Sequence, residues 1–189
     1  MNITHISKMP FSSSVAWKEL KELARVDGQI ARLFLLLVAP LSLLPPAMIH
    51  LAGSHYGDAF IGGISGRPWG KISAAFFIGE LVSVALMGWL IKQAASHWHG
   101  NISTRGAYLL AAIAPIPLWF SSLGLLVPSL ALNAVLSFVA LLLSCGLIYQ
   151  GVRSLCGITE DIEAAAVTQV VFGSGLIVWG LLLSLALFS

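Results

Sequence analysis

"ISAAFFIGELVSVALMGWLI", residues 72–91, decides the fold. A helix crossing a hydrocarbon core needs about 20 predominantly apolar residues at ~1.5 Å each, and this stretch supplies them with one ionisable group, Glu80. Working outward, four further segments meet the same requirement: about 33–52, 106–127, 129–150 and 164–188. The chain is 58% hydrophobic and 10% charged over 189 residues, with a mean hydropathy of +0.91. That composition excludes an ordinary water-soluble domain. The expected fold is all-α, a polytopic membrane bundle of five transmembrane helices over residues 33–189, preceded by a cytoplasmic tail over residues 1–32.

Between the spans lie a Gly-rich loop at 53–71, a polar loop at 92–105, a tight turn at Val127-Pro128-Ser129 and a charged loop at 151–163. Basic residues are retained on the cytoplasmic side of a membrane. With the N-terminus inside, Lys8, Lys18, Lys21, Arg25, Arg32, Lys92, Arg105 and Arg153 are cytoplasmic, against Arg67 and Lys71 outside. The C-terminus is then outside. Charged residues precede the first apolar run, the reverse of a cleavable signal, so the N-terminus is expected to be retained. Within the tail, Ala16, Trp17, Leu20, Leu23 and Ala24 recur at helical intervals opposite Lys18, Glu19, Lys21, Glu22 and Arg25. Such a helix suits the membrane interface.

Hydrocarbon offers polar groups no water, so each polar residue in a span requires a reason. A carboxylate at the depth of Glu80, about 12 Å below the outer end of its span, costs about 2.5–3.5 kcal/mol on insertion scales. It should be protonated, paired or facing a wet interior. Ser121 and Ser122, about 8–9 Å from the same side, and Asn133, about 6 Å from it, share that half of the bilayer. The expectation is one intramembrane polar cluster of Glu80, Ser121, Ser122 and Asn133. In "APIPLWFSS", residues 114–122, Pro115 and Pro117 remove two amide donors and predict a kink that turns the serines toward the second span.

Small residues let helices approach closely in membranes. Ala75, Gly79 and Ser83 form such a stripe, and Gly173 and Gly175 another. Cys145 and Cys156 have neither paired spacing nor ligating neighbours, so neither a disulfide nor a metal site is expected. His50, His55 and Asp58 fit no compact metal motif. No nucleotide-binding glycine loop, Gly-x-Ser-x-Gly or HExxH occurs, so no catalytic residue and no cofactor is expected. A net charge of +2 gives no support for nucleic-acid binding.

"PLWFSSLGLLVP" (Pro117–Pro128) and "LIYQGVRSLCGITEDIE" (Leu147–Glu163), with Gly57-Asp58 and Ile61 in the first loop, resemble the YIP (Ypt-interacting protein) family, above all its small bacterial members. In the second stretch Tyr149 and Gly151 look like the family's aromatic-Gly hinge, leading into a cytoplasmic loop with Arg153 and Glu160. The resemblance implies five spans, a cytoplasmic N-terminus, a bacterial inner-membrane location and no enzymatic activity. It implies organisation of the bilayer or of partner proteins through helix packing, with other membrane proteins or a second copy as partner. The alternative from the residues is a small transporter or channel using the polar site around Glu80.

Overall fold

The computed structural model describes residues 14–25, 32 and 34–188. The described residues form helices and no strand. Residues 1–13 and 26–31 of the expected tail, with Lys8 and Asp27, lie outside the described residues, as do the side chains of Leu23, Ala24 and Arg25. Helix α1 covers Ser14–Arg25. A π-helical turn at Phe34–Val38 leads into α2, Ala39–Ser42, and α3, Leu44–Phe60. Helix α4 runs Trp69–His97, α5 Thr104–Ile113 and α6 Ile116–Ser121. A 3-10 turn at Ser122–Leu126 precedes α7, Leu130–Leu155, and α8, Asp161–Phe188.

Among the described residues, four helical segments are long and apolar enough to cross a membrane: Trp69–His97, Thr104–Leu126, Leu130–Leu155 and Asp161–Ala186. The first expected span is not an uninterrupted helix. Pro40, Pro45 and Pro46 each lack an amide donor and crowd the preceding turn, so the segment divides into the π turn, α2 and α3. The Gly-rich loop also shrinks, because α3 continues to Phe60 and α4 starts at Trp69. Asp58 and Ser65 close what remains: the Ser65 amide donates to Asp58 Oδ1 at 3.1 Å, and the Asp58 amide donates to Ser65 Oγ at 3.0 Å. Gly63, at φ 83°, supplies the left-handed residue this turn needs.

Elsewhere the helix ends follow side-chain capping. Ser103 Oγ accepts from the Gly106 amide at 3.0 Å and starts α5, and Ser129 Oγ accepts from Leu132 at 3.4 Å and starts α7. Each satisfies an amide that has no partner within its helix. At the α7–α8 corner the 151–163 stretch is mostly helix, with only residues 156–160 between the two. Arg153 pairs with Asp161 at 2.9 Å, and the Tyr149 hydroxyl donates to the same carboxylate at 3.1 Å. Asp161 and Glu163 occupy the first turn of α8, where negative charge complements the helix dipole. The Thr159 carbonyl accepts from Arg153, and the Glu160 carbonyl takes the first bond of α8 from Ala164.

The main core lies where α1, the end of α4, the start of α5, the end of α7 and the start of α8 meet. Trp17, Leu20, Ile91, Leu110, Val152 and Val167 are among its buried members. Thus the apolar stripe of α1, expected in the membrane interface, is covered by the bundle: Ala16, Trp17 and Leu20 are at most 1% exposed. Lys21 fastens the helix by donating to the Ser154 carbonyl at 3.3 Å. A smaller cluster at the opposite end joins Ile64, Trp69, Ile72, Phe76 and Ala186. Between the two clusters lies the middle of the bundle, where Phe76 of one and Ile91 of the other face a common space.

Candidate functional site

A cavity of about 220 Å³ occupies that middle, between α4, α6, α7 and α8. On α4, Phe76, Glu80, Ser83, Met87 and Ile91 face it, three or four residues apart, as one face of a helix requires. On α7, Asn133, Ser137, Leu141, Ser144 and Ile148 do the same. The helix break at Ala114–Pro115 lies on its wall. All four residues of the expected polar cluster, Glu80, Ser121, Ser122 and Asn133, line this one space.

They do not bond to one another in the expected way. Ser121 Oγ donates to the Leu118 carbonyl at 2.8 Å, and Ser122 Oγ to the Trp119 carbonyl at 2.6 Å. Asn133 Nδ2 donates to the carbonyls of Val127 and Ser129 at 3.0 and 2.8 Å. Ser83 Oγ turns back to the Glu80 carbonyl at 2.7 Å. Each side chain satisfies backbone of its own segment, the usual competition of short polar side chains for nearby carbonyls.

The partner of the Glu80 carboxyl is the Trp119 indole. Glu80 is 7% exposed and Trp119 3%. Their meeting depends on the two prolines. Pro115 and Pro117 end α5 and restart the chain as α6 with a proline in its first turn, which leaves Trp119 against the second span. The kink expected at these prolines falls at Ala114–Pro115, where the backbone stays in the right-handed helical region while α5 ends and α6 begins. Sequence reasoning missed Trp119 because an indole counts as apolar, although a buried indole N–H normally finds an acceptor. It also missed Ser144, 3% exposed on α7. Among the described residues neither Glu80 Oε2 nor Ser144 Oγ has a hydrogen-bond partner.

The small-residue stripes separate into two kinds. Gly79 packs on α8, where an added β-carbon would lie 2.5 Å from Leu182 Cδ2, while Ala75 in the same stripe is exposed. A β-carbon on Gly175 would meet only Met87 Cε, at 3.9 Å, and one on Gly173 nothing within 4 Å. Closer contacts occur at glycines the stripes did not include. Gly53 lies under the Trp69 ring, and Gly88 would place a β-carbon 2.5 Å from Tyr108 Cδ1. Gly151, expected as a hinge, sits inside unbroken α7 and is packed by Leu110 and Trp17. Tyr149 and Arg153 are likewise helical, stacked with the guanidinium 5.8 Å from the ring centroid, and Glu160 stands exposed beyond them.

Compared with known proteins, residues 8–182 match the family model of the Yip1 domain. No curated protein and no solved structure matches the chain.

Proposed function

The chain belongs to the Yip1 domain family, and on that premise we propose that it is a non-enzymatic protein of the bacterial inner membrane that organises the membrane or partner proteins through helix packing. The observation that carries this reading is on α8. Gly173 and Gly180 have open space where a side chain would be, on a helix whose Ile177 and Leu181 are 68% and 65% exposed. A glycine facing lipid leaves a dent that another helix can fill at close range, the usual basis of helix association in membranes. The occupant is a second copy of this chain or another membrane protein.

The proposed arrangement has the N-terminus in the cytoplasm and the broken segment at about 33–52 as the first of five crossings. It is supported by the distribution of basic residues. A solute path at Glu80 has less support, because Ser83, Ser121, Ser122 and Asn133 are bonded to their own backbone.

Crosslinking tests the reading. With Cys145 and Cys156 replaced by Ala and Ile177 by Cys, oxidation in native membranes should give a discrete crosslinked species. Adding Gly180→Leu should abolish that species while the thermal stability of the extracted protein is retained. A crosslinking pattern unchanged by Gly180→Leu removes α8 as the packing face.

A further inference from the structure

We propose that the cavity between α4, α6, α7 and α8 binds a single-chain amphiphile with an uncharged hydroxyl head, held by Glu80 and Ser144. Three buried polar atoms have no partner among the described residues, and while Ser73 Oγ is not on this wall, Glu80 Oε2 and Ser144 Oγ belong to side chains more than nine-tenths buried that line this space. A buried polar atom without a partner is costly, because it has given up its bonds to water for nothing in return. Two on one cavity mark the place where a ligand's polar end completes the bonding.

The walls define the rest of the ligand. The volume, about 220 Å³, is many times the ~10–15 Å³ that a single water requires. Water would also need two to four polar partners per molecule, and Ser83, Ser121, Ser122 and Asn133 already direct their donors to backbone carbonyls. Most of the remaining wall is apolar, including Phe76, Met87, Leu118, Leu141, Phe172 and Leu182. The lining runs from Phe76 to Ile91 on α4 and from Asn133 to Ile148 on α7, roughly 22 Å of helix at 1.5 Å per residue. An apolar space of that length, with the unpartnered atoms of Glu80 and Ser144 on its wall, fits an alkyl chain with a hydroxyl head.

Charge selects the head. Among the described residues Glu80 is the one ionisable carboxyl on the wall, and no Lys, Arg or His lines it. A carboxylate or phosphate head would meet no counter-charge there and would face Glu80. An ammonium head only donates, whereas the Ser144 hydroxyl needs an acceptor for its proton and Glu80 Oε2 also needs a partner. A hydroxyl both donates and accepts.

The test uses the full chain in a mild detergent and hexadecanol carrying a mid-chain diazirine, with adducts located by peptide mass spectrometry. Adducts are expected within residues 76–91, 114–125 and 133–148, and unlabelled hexadecanol should displace the probe at lower concentration than hexadecylamine or palmitate. Gly175→Leu, at a cavity-lining position whose added β-carbon would lie 3.9 Å from Met87 Cε, should remove these adducts, while Gly173→Leu, where nothing lies within 4 Å of the β-carbon, should leave them. Ser144→Ala, a small change that keeps the fold, should weaken displacement by hexadecanol about tenfold, the order of one hydrogen bond. Adducts confined to the outer faces around Ile177 and Leu181, labelling unaffected by both Gly175→Leu and Ser144→Ala, or equal displacement by palmitate or hexadecylamine would overturn the assignment.

Discussion

Trp17 rests on Gly151: a β-carbon built on this glycine would lie 3.0 Å from Trp17 Cη2 and would overlap Leu110. Both neighbours are fully buried, at 1% and 0% exposure, and Leu110 belongs to the middle of α5. The bare backbone of α7 is therefore what allows α1 to seat across α5 and α7. Gly151→Ala should destabilise the protein by about 1–3 kcal/mol, the range for overpacking a filled core. The check is thermal unfolding in detergent, with an unchanged midpoint as the result that rejects the close contact.

The same reasoning gives the opposite sign at Gly173. Nothing lies within 4 Å of its missing β-carbon, and alanine in a helix interior is favoured over glycine by roughly 0.5–1 kcal/mol. Gly173→Ala should leave the unfolding midpoint unchanged or raise it. A drop comparable with that of Gly151→Ala would show that Gly173 is covered in the extracted protein.

At the centre of the bundle, Glu80 and Trp119 act as a pair. Trp119→Phe keeps most of the ring volume and removes the N–H, leaving a buried carboxyl with one partner fewer, at a cost of about 1–3 kcal/mol. Glu80→Gln preserves an acceptor for the indole and should cost less. The two substitutions combined should fall short of additivity, with a coupling of at least about 0.5 kcal/mol as expected for side chains in contact. Strict additivity in a double-mutant cycle would separate the two residues.

The sequence made Glu80 visible because it is the sole carboxyl within residues 72–91, and it made the helical membrane fold visible through four long apolar runs. It did not reveal the breaks in the first segment. Hydropathy counts apolar atoms, and Pro40, Pro45 and Pro46 pass that count while removing the amides a continuous helix needs. The polar cluster was legible as a set of depths, but its bonding was not. Ser121, Ser122 and Asn133 each found a carbonyl a few residues away, while the residue that reached Glu80 was the apolar-looking Trp119. Gly151 was visible as a glycine, yet its neighbours Leu110 and Trp17 come from distant parts of the chain. Only tertiary packing distinguishes a glycine that bends a helix from one that lets two helices meet.

Acid should loosen the turn after α3. Amide bonds from Ser65, Gly63 and Ile64, with the Ser65 hydroxyl, hold the exposed Asp58 carboxyl below its ordinary value of 3.8. A carboxylate held low in the folded chain contributes fully above the unfolded value, and that contribution is lost as pH falls through the folded value. Amide exchange at Ile64 and Ser65, corrected for intrinsic rates, should therefore be protected near neutral pH and lose protection as the pH drops below about 3.8. In Asp58→Asn the protection should be weaker at neutral pH and nearly independent of acid. Equal pH profiles in the two proteins would rule out the carboxylate as the clasp.

Cys156 reports on the seating of α1. It shares the buried core with Trp17 and Leu20 and is 0% exposed. Burial pushes its thiol up to about 12 from an ordinary 9.0, although the nearby Lys21 charge pulls the other way. The thiolate is the reactive form, so a charged maleimide at pH 8 should fail to modify Cys156 in the native protein for two reasons, access and ionisation. The stabilisation that accompanies the raised value is whole below 9.0 and declines as pH rises toward 12. Replacing Trp17 with Ala should open this corner and restore modification, because a large side chain of the same buried cluster is lost, while Cys145 in a Cys156→Ala background serves as the control for general unfolding. If Trp17→Ala leaves Cys156 as inert as in the unaltered chain, α1 is not what shields it.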